Sequence, residues 1–434
     1  MKDAHRKSRV GHGLISFFFV FSSAIAAEPG KRLTFNEALA TVESAHPDLL
    51  MMQAERDIAL ADQGIAASRS DTSVNLEGIL RSGRPTAGNH DFTSDNSLRL
   101  TARKTLYDFG RTSAAESAAK SEVNARDAEL IGTRDKRTLE IMARYFDVLI
   151  ADMQFTADNE FMAVAYVTFD QGKDRLAVGQ ISSIELADLE SRFQETSLRR
   201  NASEQRQRIT RALLANALNR PGNLPSDIED PALPGNQRVL PEYESLISSM
   251  LLNNARLKAN IESLAASQKR LEFVRADKGP MLDAEVQAAD YSRSASTRDS
   301  LSAGVILTWP IYQGNRVDAR IAREQAQFQK LQAGNEKLKM ELTQALLETY
   351  LEIGQLQRSG RSAAKKQAEF RDLVLEKSRG QYEVELKTNL GTSMAETVEA
   401  TLRTRKNEYH LALAFARLEA LLGAPLITQD KIKQ

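Results

Sequence analysis

Hydrophobic and polar residues alternate along four short stretches of this 434-residue chain. In the last stretch, residues 301–311, Leu301, Ala303 and Val305 are separated by polar or small residues. A repeat of two residues places alternate side chains on opposite faces of a β-strand. Comparable alternation at 72–80, 97–106 and 281–290 therefore predicts four strands, each with one apolar face.

The pattern changes to a helical period after Gly110 and continues to about residue 178. At 1.5 Å per residue, a helix of this length measures roughly 100 Å, several times the ~30 Å hydrocarbon core of a bilayer. A turn at 178–183 and a returning helix at 184–219 would complete a hairpin. Apolar residues along the first helix recur at steps of three and four, which predicts a packed coiled-coil seam and not a cofactor pocket. They are Leu139, Met142, Phe146, Leu149 and Met153.

The chain repeats this order after a proline-rich segment. Tyr107 and Tyr312 are 205 positions apart, and so are Tyr145 and Tyr350. Such a fixed offset predicts an internal duplication of helix, strand, loop, strand and long helical hairpin. The second copy repeats the helical seams, at Leu342, Leu346, Thr349, Ile353 and Leu356 and at Leu411, Phe415, Leu418 and Leu422.

The duplication defines a first repeat at 28–221, a linker at 222–240, a second repeat at 241–425 and a tail at 426–434. Residues 1–27 combine basic side chains, an apolar run at 14–21 and small residues, as a secretory signal peptide does. Cleavage is expected after Ala26 or Ala27. A retained helical anchor is the less favoured alternative, because the apolar run is too short to span a bilayer.

Composition narrows the function classes. The chain has 58 Lys and Arg residues and 58 Asp and Glu residues. It therefore has no overall positive field that would favour nucleic acid as a partner. The absence of cysteine excludes disulfides, thiol catalysis and a lipidated N-terminal cysteine. His46, His90 and His410 lack metal-ligand spacing, and phosphate loops or nucleophile elbows do not occur. An enzyme is the least supported class, and no cofactor is expected.

Four strands of about ten residues have the length that crosses an outer membrane. Four strands cannot close a barrel, and lipid does not tolerate open sheet edges, so several chains must share one barrel. Two copies would give eight strands with a filled interior, whereas three would give twelve and a pore. The alternative is a soluble sandwich to which these strands contribute edges.

A shared barrel would place the polar strand faces around its lumen. The predicted lining residues are Arg99, Thr101, Arg103, Asp283 and Glu285, with Gln287 beside them. Their alternative role is that of solvated strand residues without influence on selectivity. The hairpin turns would lie about 100 Å from the strands, and periplasmic partners would meet them there.

Several motifs together resemble the TolC-like outer membrane efflux proteins. The first strand exit has the residues Leu106, Tyr107, Asp108, Phe109, Gly110 and Arg111, and the second has Trp309, Pro310, Ile311, Tyr312, Gln313, Gly314, Asn315 and Arg316. His46, Pro47, Asp48 and Leu49 stand near the first helix, and Gly179, Ser182, Ser183 and Glu185 stand at the first turn. The resemblance covers nearly all of the chain beyond the signal peptide.

The resemblance implies an α+β membrane protein: a homotrimer with a twelve-stranded outer-membrane barrel and a long helical tunnel in the periplasm. It also implies a passive exit duct that opens when an inner-membrane transporter and a periplasmic adaptor dock on the helix tips. The barrel-to-tunnel junction would lie at Asp108, Gly110, Pro310 and Gly314. The tip and gate residues would be Gly179, Ser182, Ser183, Glu185, Glu385, Lys387, Thr388, Asn389 and Gly391.

The chain departs from the family pattern at two places. The family usually has a proline at the entry to the first strand. The second copy has Pro280 at the matching place, but the first copy has Asp71 and Thr72 there. At the second tip, Glu385 replaces a common glycine and Gly391 stands where an aspartate is usual. An acidic ring at the tunnel entrance therefore cannot be assigned from the resemblance, and the hypothesis is that Glu385, Glu396 or Glu399 supplies it.

Two functions follow from these patterns. The first is an outer-membrane exit channel for type I protein secretion or small-molecule efflux. The missing lipid-anchor cysteine slightly favours protein secretion. The second is a periplasmic coiled-coil protein with a structural or adhesive role, whose strands form a soluble cap.

Overall fold

The protein is described by a computed structural model that covers residues 32–84, 91–224, 227–293, 298–384 and 389–426. The predicted signal peptide and most of the predicted tail lie outside these residues. In the first half, helices flank two long strands. The elements are α1 (Phe35–Ala40), α2 (Pro47–Ala67), β1 (Ser73–Ile79), β2 (Ser82–Gly83), β3 (Thr93–Ser94), β4 (Ser97–Tyr107), α3 (Arg111–Ala177) and α4 (Ser183–Ala217).

The second half has the same order of elements. It contains α5 (Tyr243–Asn253), α6 (Ala255–Ala276), β5 (Met281–Tyr291), β6 (Leu301–Thr308), α7 (Arg316–Gln355), α8 (Arg361–Glu383) and α9 (Leu390–Leu422). A π-helical turn, Leu356–Gly360, joins α7 to α8. The limits of the two repeats remain a prediction, but the helices and strands within them agree closely with the sequence pattern.

The four long strands form one antiparallel sheet in the order β1-β4-β5-β6, which leaves β1 and β6 at its edges. Two details differ from the sequence prediction. Residues 81–96, predicted as loop, contain the short antiparallel pair β2 and β3. The last strand ends at Thr308 and not at residue 311, since Pro310 has no N–H to donate to a strand ladder.

Each long helix runs beside two shorter helices that meet end to end. The first, α3, has 67 residues and therefore a length of about 100 Å. Beside it, α4 ends where α2 begins, and the Asn219 amide donates to the Ala45 carbonyl oxygen at 3.1 Å. In the second half α9 ends at α6, and the Asn254 amide donates to the Leu421 carbonyl oxygen at 2.9 Å. The helical layer thus continues past the middle of the molecule in both halves.

Two hydrophobic clusters occupy this middle region. The first centres on α3, where the Tyr145 hydroxyl lies 3.0 Å from the Leu33 carbonyl oxygen and 2.6 Å from that of Glu229. Burial raises the pKa of Tyr145 above its ordinary value. The second cluster contains most of the seam residues predicted for the second copy. Leu342, Leu346, Ile353, Leu411, Phe415, Leu418 and Leu422 are all buried.

The proline-rich segment between the repeats is folded against these clusters. Leu33 and Ile228 form a parallel β-bridge, and a 3₁₀ helix covers Pro234–Gln237. Asn236 in that helix is buried, and its side-chain amide donates to the Glu408 carboxylate at 2.7 Å. The segment fastens the first half to α9.

Candidate functional site

The predicted pore-lining residues lie together on one face of the sheet. Strand register places Arg103 opposite Glu285 and Thr101 opposite Gln287. Arg103 forms an ion pair with Glu285. The Thr105 hydroxyl donates to Asp283 at 2.8 Å. This face therefore carries both signs of charge, joined across adjacent strands.

A second ion pair extends this polar face to the edge of the sheet. The Arg99 guanidinium on β4 lies 3.6 Å from the Glu77 carboxylate on β1. The two residues are register partners. Charges of opposite sign therefore connect β1, β4 and β5.

The opposite face of the sheet is apolar and exposed. Register partners such as Leu76 and Leu100 place aliphatic side chains side by side across the strands. A contiguous exposed apolar surface of this kind marks contact with lipid or another apolar partner. Its exposed members include Val74, Leu76, Leu98, Leu100, Val286, Leu301, Val305 and Leu307.

The strand-to-helix junctions change backbone direction at residues with positive φ. Phe109 and Gly110 have φ of 60° and 81°, and Gly314 has φ of 61°. The Asp108 carboxylate accepts from the Thr112 N–H at 2.6 Å, which satisfies one of the N–H groups left unpaired in the first turn of α3. Pro310 lies just beyond β6. The predicted junction residues therefore occupy both turns.

Ion pairs join three helices at the same level. The Asp277 carboxylate at the end of α6 lies 3.1 Å from the Arg111 guanidinium and 2.6 Å from that of Arg320. Arg111 also stacks on the Phe273 ring, 5.1 Å from its centroid. These contacts fix α3, α6 and α7 relative to one another directly below the sheet.

Arginines connect the two repeats at the other end of the sheet. Asp95 precedes β4 and accepts from Arg298 at 2.9 Å and from Arg81 at 2.7 Å. These hydrogen bonds lower the pKa of Asp95 to about 2. The loops of both repeats are therefore linked by charge beyond the strands.

The first hairpin tip is a capped helix start. Gly179 adopts a φ of 74°, which suits a glycine. The Ser182 hydroxyl accepts from the Glu185 N–H, and the Glu185 carboxylate accepts from the Ser182 N–H at 2.7 Å. This capping box lowers the pKa of Glu185. Ser183, the first residue of α4, and the exposed Ile184 complete the tip.

The second tip is described in part. Glu385, Lys387 and Thr388 lie outside the described residues. Asn389 precedes α9, and Gly391 packs so closely on α3 that a Cβ there would lie 2.9 Å from the Val164 side chain. A larger residue at Gly391 would require the Val164 side chain or one of the two helices to shift.

The two described carboxylates of the acidic-ring hypothesis are both ion paired. Glu396 forms an ion pair with Arg371 on α8. Glu399 lies 2.9 Å from Arg403 one turn along α9. Each carboxylate is thus neutralised by a neighbouring arginine, so the hypothesis gains no support from Glu396 or Glu399.

The sequence did not reveal the π-helical turn between α7 and α8. The Gln357 side-chain amide donates to the Arg238 carbonyl oxygen at 2.8 Å, and Arg361 pairs with Glu408 at 2.7 Å. A Cβ on Gly360 would collide with the Asn407 side-chain oxygen. In the sequence, Gly360 was the signal that could have indicated this turn. The structure shows that it faces Asn407 on α9.

Within the described residues, none of the helices combines the length and hydropathy of a membrane-spanning helix. The same part of the chain contains no group of three or more His, Asp or Glu side chains that could hold a metal ion.

Comparison with protein families gives one match, to the family described as outer membrane efflux protein. The match covers residues 38–220 and 246–424, one segment in each half of the chain. No curated protein sequence matches the chain.

Solved structures of outer membrane proteins share the fold. VceC from Vibrio cholerae is 15% identical, with a TM-score of 0.72 over 90% of this chain and 96% of that one. The CmeC outer membrane channel of Campylobacter jejuni is 14% identical, with a TM-score of 0.73 over 92% and 88% of the two chains. The open state of the MtrE outer membrane channel of Neisseria gonorrhoeae is 16% identical, with a TM-score of 0.68 over 90% and 89%.

These similarities extend from the strands to the hairpin tips, and the family match covers most of the chain in two segments. The two-faced sheet and the helices of about 100 Å are what an outer-membrane channel with a periplasmic extension requires. The chain belongs to the outer membrane efflux protein family.

Proposed function

We propose that three copies of this chain form the exit duct of a tripartite export system. The observation that carries the proposal is the sheet, whose exposed face is apolar and whose other face is lined by paired charges. Lipid forbids the unpaired edges that β1 and β6 present in one copy. Twelve strands from three copies would close the sheet around a water-filled lumen.

The helices would continue this lumen into the periplasm. Each strand runs directly into or out of a helix, and the ion pairs at Asp277 hold α3, α6 and α7 in register below the sheet. Conduction through this duct would be passive, with the inner-membrane pump supplying the energy. Either proteins or small molecules could be the cargo of such a duct.

A periplasmic adaptor would dock on the hairpin tips and connect the duct to an inner-membrane transporter. Ile184 at the first tip is exposed over 81% of its surface, next to the capping box of Ser182 and Glu185. The capping box fixes the backbone of the turn on which this exposed side chain stands, so Ile184 would be presented to a docking partner. Gly179, Ser183, Asn389 and Gly391 lie at the described parts of the two tips.

A photo-reactive amino acid at Ile184 tests the adaptor contact in intact cells. Cross-linking to a periplasmic protein that also binds an inner-membrane transporter is the expected result. Ile261 on α6 is exposed as well, and it provides the control because it lies far from the tips. Equal cross-linking from both positions would contradict docking at the tip.

Cell fractionation tests the channel against the structural or adhesive alternative. The processed protein should remain with the outer membrane until detergent is added. Recovery from the periplasm in soluble form would contradict the exit duct, because the apolar sheet face would then be covered by protein and not by lipid.

A further inference from the structure

One lysine lies on the apolar face of the sheet. Its neighbours Arg103 and Thr105 both bond to β5 across the polar face, so alternation directs Lys104 to the other side. Its register partner there is Ala284, with Ala102 two residues away on the same face.

Lys104 is exposed and has no hydrogen-bond or ion-pair partner among the described residues. A charge on the lipid-facing side of a barrel is costly at the middle of the bilayer and nearly free of cost at the interface. Lys104 stands three residues before Tyr107, the last residue of β4, or about 10 Å along the strand. A lysine side chain can extend over much of that distance towards the interface.

Aromatic side chains mark that interface independently. At the end of β4 and just beyond β4 and β6, ring-bearing residues are exposed on both repeats. Aromatic residues with an apolar body and a polar edge concentrate where a membrane meets water. The exposed rings are Tyr107 (57%), Phe109 (57%), Trp309 (59%) and Tyr312 (87%).

We propose that Lys104 binds the phosphate of an anionic phospholipid in the periplasmic leaflet of the outer membrane. The uncompensated ammonium supplies the charge complement, and the apolar residues above it receive the acyl chains. The aromatic rings below it set the level of the headgroup. The contact fixes the depth at which the sheet sits in the membrane. This inference rests on the proposed membrane location of the sheet.

The chain contains a single tryptophan, so Trp309 reports on this region without further labelling. Trp309 follows β6, and β5 separates that strand from β4, so two strand spacings of about 4.8 Å separate the strands of Trp309 and Lys104. The full-length protein is reconstituted in phosphatidylcholine bilayers that contain lipids with a quencher near the headgroup. Quenching by labelled phosphatidylglycerol is compared with quenching by labelled phosphatidylcholine.

Labelled phosphatidylglycerol should be preferred about fivefold, the effect of one basic side chain near an anionic surface. Lys104→Met should abolish the preference and Lys104→Arg should retain it. Lys330→Met should change nothing, because Lys330 is an exposed lysine on α7, away from the sheet. Each variant's oligomeric state and circular dichroism verify that the fold is intact.

Three results would overturn the proposal: equal quenching by both lipids in the unmodified protein, an unchanged preference in Lys104→Met, or loss of the preference on addition of inorganic phosphate. The last would show a general anion site. Absence of quenching by every lipid would instead contradict the membrane location of the sheet, so the two failures are distinguishable.

Discussion

The pairing of Arg103 with Glu285 makes the polar face of the sheet nearly neutral at that level. Removal of one partner leaves an uncompensated charge, and threefold symmetry would triple it. Small ions in a wide lumen respond to such rings of charge.

Neutralising Arg103 and neutralising Glu285 should therefore change the ion selectivity in opposite directions. Arg103→Gln should shift the reversal potential in a salt gradient towards cation preference, and Glu285→Gln should shift it towards anion preference. The double variant should return close to the unmodified value. Selectivity that is the same in all four proteins would exclude these residues from the lumen.

The sequence predicted which residues share this face, because alternation along a strand fixes the side of each residue. It could not predict that Arg103 meets Glu285, since strand register depends on contacts between distant segments. The ion pair of Glu396, which weakens the acidic-ring hypothesis at that residue, was unpredictable for the same reason. The partner of Glu396, Arg371, lies on another helix.

At the scale of elements, the two halves differ most in their long helices. The long helix of the first half, α3, is uninterrupted. The long helix of the second half is divided into α7 and α8 by the π-helical turn Leu356–Gly360. A π-helical turn contains one residue more than an α-helical turn, so it changes the direction of the side chains that follow it. Such turns concentrate at functional positions. Helical periodicity continues across this turn, so the sequence predicted a plain helix there.

Two glycine substitutions test the packing of this turn. Gly360→Ala should destabilise the second hairpin, because its Cβ would collide with Asn407 on α9. Gly334→Ala on α7 is the matched control. That position has open space around it, and alanine should stabilise the helix by up to about 1 kcal/mol.

Hydrogen exchange of α8 and α9 and thermal unfolding of the detergent-solubilised protein would measure both effects. Faster exchange is expected in Gly360→Ala alone. Unchanged exchange in that variant would show that Asn407 rearranges freely and that the turn is not tightly packed.

At the scale of the whole molecule, the single chain leaves its sheet open. β1 and β6 are three strand spacings apart, about 14 Å. A disulfide requires Cα atoms within about 7 Å. A cysteine pair across these two edges can therefore form only between copies.

Leu76→Cys combined in turn with Ala303→Cys, Val305→Cys and Leu307→Cys should give covalent trimers on oxidation. The cysteine-free background makes the experiment specific. The single variant Leu76→Cys should give no cross-linked product larger than a dimer, because one cysteine per chain can link only two chains. A ladder that continues past three chains, or only intact monomers from every pair, would contradict the closed trimer.

The molecular plan was largely predictable from the sequence, because a duplicated pattern of strands and long helices has few ways to bury its apolar faces. The linker was not. Its prolines predicted a linker without indicating its contacts, whereas Asn236 and Ile228 are buried in contacts that only the assembled halves create.

Single-cysteine accessibility along β4 and β6 tests the central claim most directly, namely that one face of the sheet meets lipid and the other meets water. Cysteines at Thr101, Thr105 and Ser302 should react with a membrane-impermeant thiol reagent in intact outer membranes. Cysteines at Leu100, Ala102 and Val305 should react only with a lipid-soluble reagent. Uniform reaction along both strands, without the period of two residues, would contradict the channel.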